Sequence, residues 1–165
     1  MDATALRALQ APLKQKYRDS PEAARIMSRA EVTLDPARIA AILRADTSRI
    51  AGLHPAAGGT ESHACSGDML LEALAACAGV TLMAVAISMG AQLTGGRIVA
   101  EGVWDARGTL GVDKSVPVGI QNITLTFDLE GELDESARQR LVQLTERYCV
   151  ILATLRDPPT LTVAI

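Results

Sequence analysis

The sequence predicts an α+β fold in which two long helices are the central elements. An apolar segment follows Ser66 and ends at Gly90, and a second helical pattern begins near Asp134 and ends near Leu155. Between these segments, residues 123–130 alternate apolar with polar side chains, which is the period of a strand with one buried face. The chain therefore combines helices and sheet.

The length and composition favour one domain, residues 1–165, with a core poor in aromatic side chains. One Trp, two Tyr and one Phe leave the core to Ala, Leu, Val, Ile and Met. Sixteen basic and nineteen acidic residues give a net charge of −3, and there is no long basic run. Nucleic acid is therefore not an expected partner, because binding it needs a surface that neutralises phosphates.

The sequence also predicts a cytoplasmic protein that makes no contact with a membrane. Glu72, Gly79, Ser88 and Gly90 interrupt the most apolar stretch before it reaches the roughly 18 to 20 residues of a membrane span. Residues 1–10 lack the basic start and apolar middle of a secretory signal. An odd number of cysteines suits a reducing compartment.

The first thirty residues are predicted as a helical arm, followed by the core, residues 31–165. Leucines at helical spacing indicate one helix, Pro12 interrupts it, and Ser20 with Pro21 opens a second short helix. Residues 38–45 are predicted to form a strand. Residues 52–59 are rich in Gly and Pro and predict a loop that continues to Cys65.

The first long helix has clear end signals. Ser66 is the predicted N-cap, Asp68 lies in the first turn where a carboxylate favours the helix dipole, and Gly90 is the predicted stop. Its apolar residues surround nearly the whole helix, so we expect it to be central in the fold.

Strands and a second helix follow. Residues 97–106 alternate after a Gly-Gly turn and are expected to pair with residues 123–129, with residues 108–119 as the connection. Residues 160–165 are predicted as a final strand. The second helix should bury one stripe: Leu141, Leu144, Tyr148, Ile151 and Leu155.

Cysteines are the residues that point to chemistry. Cys77 lies in the middle of the first long helix and Cys149 in the second half of the other. A single free cysteine is most often an inert buried residue. A redox pair needs Cα atoms within roughly 4.4 to 6.8 Å and positive charge near the thiolate, and sequence spacing tests neither.

Cys65 is a third thiol with two interpretations. With His63 and the distant His54 it offers too few ligands for zinc, so we predict neither a metal site nor a cofactor. Close to a helix start, the thiol is either an accessory redox group or a packing residue.

The residues around these cysteines resemble a known family. The string CSGDMLLEALAACAGVTL, residues 65–82, followed downstream by TERYCVI, residues 145–151, resembles the osmotically inducible protein C and organic hydroperoxide resistance (OsmC/Ohr) family. The resemblance covers about residues 60–165. It implies an OsmC-like fold with two long central helices flanked by antiparallel sheets in an intertwined homodimer.

The resemblance also implies a reaction. By position, Cys77 would attack a peroxide as a thiolate and become a sulfenic acid, and Cys149 would resolve it as a disulfide. A dithiol such as a lipoyl group would then reduce the disulfide. The implied role is that of an antioxidant stress-response enzyme with peroxiredoxin-type activity on organic hydroperoxides.

Some positions depart from the family pattern. Peroxidase members carry a glutamate ten residues before the first cysteine, where it holds an activating arginine, and this chain has Gly67 there. Asp68 is offset by one position, which corresponds to about 100° around a helix. Arg44 and Arg38 are the candidates for the arginine. Val150 replaces the proline that often follows the second cysteine.

Three hypotheses follow. The first is a thiol-dependent hydroperoxide reductase whose apolar substrate pocket consists of Met69, Leu70, Leu74, Tyr148 and Leu152. The alternative, favoured by Gly67, is a non-catalytic or weakly reactive stress-response dimer that binds a small apolar ligand. A third is a thiol-disulfide exchange protein that does not distinguish between peroxides.

Overall fold

The computed structural model describes residues 3–35, 40–43, 51–61 and 64–165, and it confirms a fold of mixed helices and antiparallel sheet. Two short 3-10 helices, Pro21–Ala24 and Pro55–Ala57, accompany the longer elements. In chain order these are α1 (Ala3–Asp19), β1 (Arg25–Asp35), β2 (Ala40–Leu43), β3 (Ala51–Gly52), β4 (Ala64–Cys65), α2 (Ser66–Met89), β5 (Leu93–Asp105), α3 (Ala106–Thr109), β6 (Gln121–Gly131), α4 (Glu135–Tyr148) and α5 (Val150–Arg156).

Four strands form the larger sheet in the order β2-β1-β5-β6. Strand β1 pairs with β2 in the antiparallel sense, with Val32 opposite Leu43 and Asp35 opposite Ala40. The long strands β5 and β6 are the predicted pair, and the connection between them contains the single turn of α3.

The predicted Gly-Gly turn before β5 is wrong, because β5 begins at Leu93 and contains both glycines. Gly96 has a φ of 142°, and a Cβ atom there would lie 2.5 Å from the carbonyl oxygen of Asp128 on β6. Gly131 on β6 likewise lies against the backbone of Gln92 and has a φ of 140°. The glycines thus permit a close approach of two strands rather than a change of chain direction.

The N-terminal arm is only partly helical. Helix α1 continues through Pro12. One side chain before this proline and one after it donate hydrogen bonds to the 3-10 helix at residues 55–57. The Tyr17 hydroxyl donates to the carbonyl oxygen of Ala56 at 2.8 Å, and the Gln10 amide donates to that of Ala57 at 3.2 Å. The prediction of helix up to residue 30 is wrong, since residues 25–30 belong to strand β1.

The predicted loop from Gly52 to Cys65 also contains strands. Ala51 and Gly52 pair in parallel with Ala64 and Cys65, respectively, around the intervening 3-10 helix. Two residues per strand are too few to leave a period-2 signal in the sequence. Of the strand predicted at residues 38–45, the structure describes Ala40–Leu43 as β2, and the remaining residues lie outside the described part of the chain.

The predicted stop of the first long helix is confirmed, and its start differs by one residue, because Ser66 is the first helical residue rather than the N-cap. Helix α2 starts at Ser66, and Gly90 follows its last residue in the left-handed conformation, with a φ of 67°. The N–H of Ala91 donates to the carbonyl oxygen of Ala86 and that of Gly90 to Ile87, which is a Schellman motif.

Only one face of α2 is buried within the chain. Its other face leaves an apolar stripe exposed, where Val80 is 46% and Ile87 is 56% accessible. Contrary to expectation, α2 is long and apolar enough to span a bilayer, a property that central helices of globular proteins share. The buried face consists of Leu71, Leu74, Ala75, Ala78, Leu82, Met83 and Ala86.

The second long helix is interrupted where the sequence predicted continuity. Asp134 caps α4 by accepting the Ala137 N–H at 2.7 Å, which confirms the predicted start. Cys149 then adopts extended dihedral angles, φ −70° and ψ 111°, between α4 and α5. The predicted buried stripe is also shifted, because Tyr148 is 57% exposed. The fully buried residues of this segment are Leu141, Thr145 and Cys149.

The predicted strand at residues 160–165 is wrong. These residues belong to no strand, and their apolar side chains are exposed, with Leu161 at 85% and Val163 at 92%. The alternation of apolar residues is present, but within the described chain no neighbouring strand pairs with it.

The chain divides into two compact units. One draws on residues 1–30, 45–71 and 100–124, and the other on residues 31–44, 72–99 and 125–165. The first has a core around Tyr17, Trp104 and Leu110, and the second contains the buried face of α2 beyond residue 71 together with α4 and α5. Cys77 and Cys149 lie in the second unit, and Cys65 lies in the first.

Candidate functional site

The structure brings Cys77 and Cys149 together. Cys77 projects from the middle of α2 and is half-buried, whereas Cys149 lies between α4 and α5 and is fully buried. Their side chains are close enough to interact electrostatically, and both are free thiols. Two cysteines 72 residues apart in the sequence thus form one dithiol site within a single compact unit.

The surroundings of Cys149 favour its protonated form. Burial raises the pKa of its thiol above the ordinary value of 9.0. The N–H groups of Leu152 and Ile151 lower this pKa, although they do not form a capping hydrogen bond with the sulfur. The neighbouring Cys77 side chain raises the pKa again, so the net shift is upward. Cys149 is therefore a thiol that the fold holds in its protonated form.

The interruption of the helix places Cys149 at this position. Its N–H donates to the carbonyl oxygen of Thr145 at 2.8 Å, closing α4, and its own carbonyl oxygen accepts the Ala153 N–H at 2.9 Å, opening α5. The buried Thr145 hydroxyl is satisfied by the carbonyl oxygen of Leu141 at 2.8 Å. The backbone around the thiol is thus hydrogen-bonded on both sides.

The raised pKa of Cys149 predicts a loss of stability at alkaline pH. The folded state holds this proton more tightly than the unfolded chain, so the stabilisation is complete below 9.0 and declines as pH rises through the folded-state pKa. In urea unfolding between about pH 8 and pH 10, with a reductant present, the wild type should lose more stability than Cys149→Ala. Tyr17, whose pKa burial also raises, contributes equally to both proteins. Equal losses of stability in the wild type and in Cys149→Ala would contradict a raised pKa at Cys149.

Two of the predicted accessory residues belong to a different compact unit from the dithiol. Cys65 and Asp68 belong to the other compact unit, with Asp68 half-buried in the first turn of α2. Arg44, Arg38 and His63 lie outside the described residues. The roles predicted for these side chains therefore stay predictions.

The residues of the predicted substrate pocket differ in exposure. Leu74 is fully buried, Met69 and Leu152 are half-buried, and Tyr148 is exposed with the Arg147 guanidinium 5.5 Å from the centre of its ring. Leu70 lines a separate cleft that also contains Cys65. That these five residues form one pocket stays a prediction.

Sequence reasoning missed the interruption of the second helix at Cys149. The signal was present in the run Tyr148, Cys149, Val150 and Ile151, in which aromatic and β-branched residues of low helix propensity follow one another. It also missed the cleft around Cys65, whose wall combines residues near position 54 with residues near 104 and 119. No local pattern connects segments so distant in the sequence.

Comparison with known proteins agrees with this architecture. The family model described as OsmC-like protein matches residues 59–164. The fold is similar to that of an OsmC-like hydroperoxide resistance protein from Jannaschia sp. CCS1, with a TM-score of 0.60 and 15% sequence identity over 84% of this chain and 91% of that one. No curated protein is significantly similar to the chain. Because the family match spans more than half of its residues, the chain belongs to the OsmC-like proteins.

Proposed function

We propose that this protein reduces organic hydroperoxides through the thiol pair Cys77 and Cys149. The observation that carries the proposal is the placement of two free thiols, 72 residues apart in the sequence, close enough to interact within one compact unit, with Cys149 held in its protonated form. Membership of the OsmC-like proteins, and a fold similar to that of a hydroperoxide resistance protein, support a role with peroxides.

The first step is nucleophilic attack by the Cys77 thiolate on the distal oxygen of the hydroperoxide. The O–O bond breaks, a sulfur–oxygen bond forms, and the alkoxide takes a proton and leaves as an alcohol. Cys77 suits this role because it is half-buried, whereas the fully buried Cys149 does not reach solvent.

The second step condenses the two sulfurs. The Cys149 thiol loses its proton and attacks the Cys77 sulfenic acid, which forms the disulfide and releases water. An external dithiol, for which a lipoyl group is the proposed class, then restores both thiols by exchange and becomes a cyclic disulfide. The balance is one hydroperoxide and one dithiol consumed for one alcohol, one water and one disulfide.

Replacing Cys149 with serine should trap the first intermediate. After one equivalent of cumene hydroperoxide, Cys149→Ser should retain a sulfenic acid at Cys77, because no thiol lies beside it to condense. Dimedone labelling followed by mass spectrometry measures this adduct at Cys77. The wild type should show almost no adduct, since its sulfenic acid is resolved internally. Equal labelling of both proteins would exclude Cys149 as the resolving residue.

We also propose that the protein acts as a homodimer. Two apolar surfaces support this: the exposed stripe of α2 that contains Val80 and Ile87, and the alternating side chains of residues 161–165. A second copy covering both would remove from water apolar area that one chain leaves exposed.

A charge in the C-terminal segment should weaken the dimer. Val163→Glu removes an exposed apolar side chain whose burial is worth about 1.5 to 3 kcal/mol. We therefore expect the protein concentration at which half of the dimer dissociates to rise roughly tenfold or more. Thr162→Glu is the matched control, because adjacent residues of an extended chain point to opposite sides. Light scattering coupled to size exclusion measures both. Equal dissociation of the two variants, or a monomeric wild type, would contradict the proposal.

A further inference from the structure

A second concave site lies in the compact unit that does not contain the thiol pair. It is a cleft of about 380 Å³ between the segment near His54, the start of α2 and the segment that follows β5. Leu53, Leu70, Trp104 and Ile120 supply most of its apolar wall. This volume falls within the range of small-molecule sites in proteins, roughly 300 to 1,000 Å³.

The wall of this cleft is rigid. Trp104 is only 7% exposed and belongs to a core cluster with Tyr17 and Leu110. The following residue, Asp105, accepts the N–H of Arg107 at 2.9 Å and pairs with its guanidinium at 2.7 Å. The cleft is therefore formed before any ligand arrives, which lowers the entropic cost of binding.

The polar groups of the cleft are neutral and few. None of the residues that the structure places on its wall is acidic, lysine or arginine. His54 Nδ1 accepts the Ala56 N–H at 3.0 Å, so the neutral imidazole carries its proton on Nε2. The ring also contacts Trp104 edge-to-face, with 5.2 Å between ring centres and 84° between planes. The site thus combines two aromatic surfaces with a fixed donor.

Gly67 keeps one side of the cleft open. A Cβ atom added there would lie 3.6 Å from Cys65 Sγ and 3.6 Å from Ile120 Cδ1, in ordinary contact with both. A larger side chain at this position would occupy space between the two residues. Gly67 thus offers a way to fill the cleft from a helical position that accepts a Cβ atom without a clash.

We propose that this cleft binds a small, uncharged, ring-containing molecule whose carbonyl oxygen accepts a hydrogen bond from His54 Nε2. The apolar wall and the aromatic pair select a flat ring system, and the lack of wall charges disfavours an ion, which would lose its hydration without a counter-charge. This site is additional to the dithiol, and its occupation does not depend on peroxide chemistry.

The experiment uses α-tetralone as the probe, with the reduced full-length protein. The chain has a single Trp, so the indole N–H signal of Trp104 in a nitrogen-15 NMR spectrum reports on this wall alone. We expect saturable shifts with a dissociation constant on the order of 100 µM. Tetralin, which lacks the carbonyl, should bind roughly fivefold more weakly, and 2-naphthoate should not saturate the signal.

Three variants locate the ligand. Gly67→Leu should abolish the shift by filling the cleft, and Gly67→Ala, which adds one methyl in ordinary contact, should weaken binding by a smaller factor. His54→Asn keeps a side-chain acceptor for the Ala56 N–H but removes the Nε2 donor, so it should abolish the preference for α-tetralone over tetralin.

Several outcomes would overturn the proposal. These are no saturable shift of the Trp104 signal, unchanged affinity in both Gly67 variants, or tighter binding of 2-naphthoate than of α-tetralone. If His54→Asn still preferred α-tetralone over tetralin, His54 Nε2 would not be the donor. Because the assay contains no peroxide, its result is independent of the outcome for Cys77 and Cys149.

Discussion

Replacing Cys77 with serine should reduce the consumption of cumene hydroperoxide to the uncatalysed level, a loss of at least about two orders of magnitude. The serine hydroxyl is not ionised at neutral pH and does not accept the peroxide oxygen. Stopped-flow measurement of peroxide loss with excess dithiol gives the rate. The remaining thiols, Cys65 and the buried Cys149, should not substitute for the missing nucleophile.

A relocated thiol provides the control for this result. Ser88 is exposed on the same helix as Cys77, so Ser88→Cys in the Cys77→Ser background restores an α2 thiol without the neighbouring Cys149. That double variant should stay as inactive as Cys77→Ser. Recovery of the rate in the double variant, or full activity of Cys77→Ser alone, would show that the position beside Cys149 is not what makes the thiol reactive.

Of the substitutions considered, Leu74→Ala should lower the free energy of unfolding the most. Leu74 is fully buried on the inner face of α2, so Leu74→Ala removes buried methyl groups and leaves a cavity. We expect the free energy of unfolding to fall by about 3 to 5 kcal/mol. Leu70→Ala, on the same helix at a residue that is 39% exposed, should lose less than half as much. Urea unfolding measures both, and equal losses would contradict the assignment of Leu74 to the core.

The sequence was sufficient for features determined by local chemistry. The end of α2 followed from Gly90 and the start of α4 from Asp134, because caps depend on the residue at one position. The start of α2 lies one residue before the predicted one, since Ser66 is already helical. The strand at residues 123–129 followed from its alternation, which reflects a sheet with one buried face.

Features that depend on distant partners could not be predicted in the same way. The Gly95–Gly96 pair has the composition of a turn, yet it lies inside β5 because β6 approaches closely there. Residues 160–165 have the alternation of a strand, but no strand of the described chain pairs with them. The wall of the cleft joins residues near 54 and 104, a juxtaposition that only the tertiary fold creates.

The thiol pair likewise combines a feature that the sequence predicted with features that only the tertiary fold determines. Family resemblance pointed to Cys77 and Cys149, whereas the burial of Cys149 and its raised pKa depend on the break between α4 and α5. In an uninterrupted helix, Cys149 would have helical dihedral angles instead of its extended ones. The local propensities of Val150 and Ile151 permit the break, but packing selects its position.

The most direct test of the account is the identity of the bond formed when the reduced protein meets one equivalent of cumene hydroperoxide. Peptide mapping by mass spectrometry under non-reducing conditions identifies it. We predict a disulfide between Cys77 and Cys149, with Cys65 remaining a free thiol. A disulfide that includes Cys65, an over-oxidised Cys77 without any disulfide, or three thiols that remain reduced would contradict the assignment of these two residues as the reactive pair.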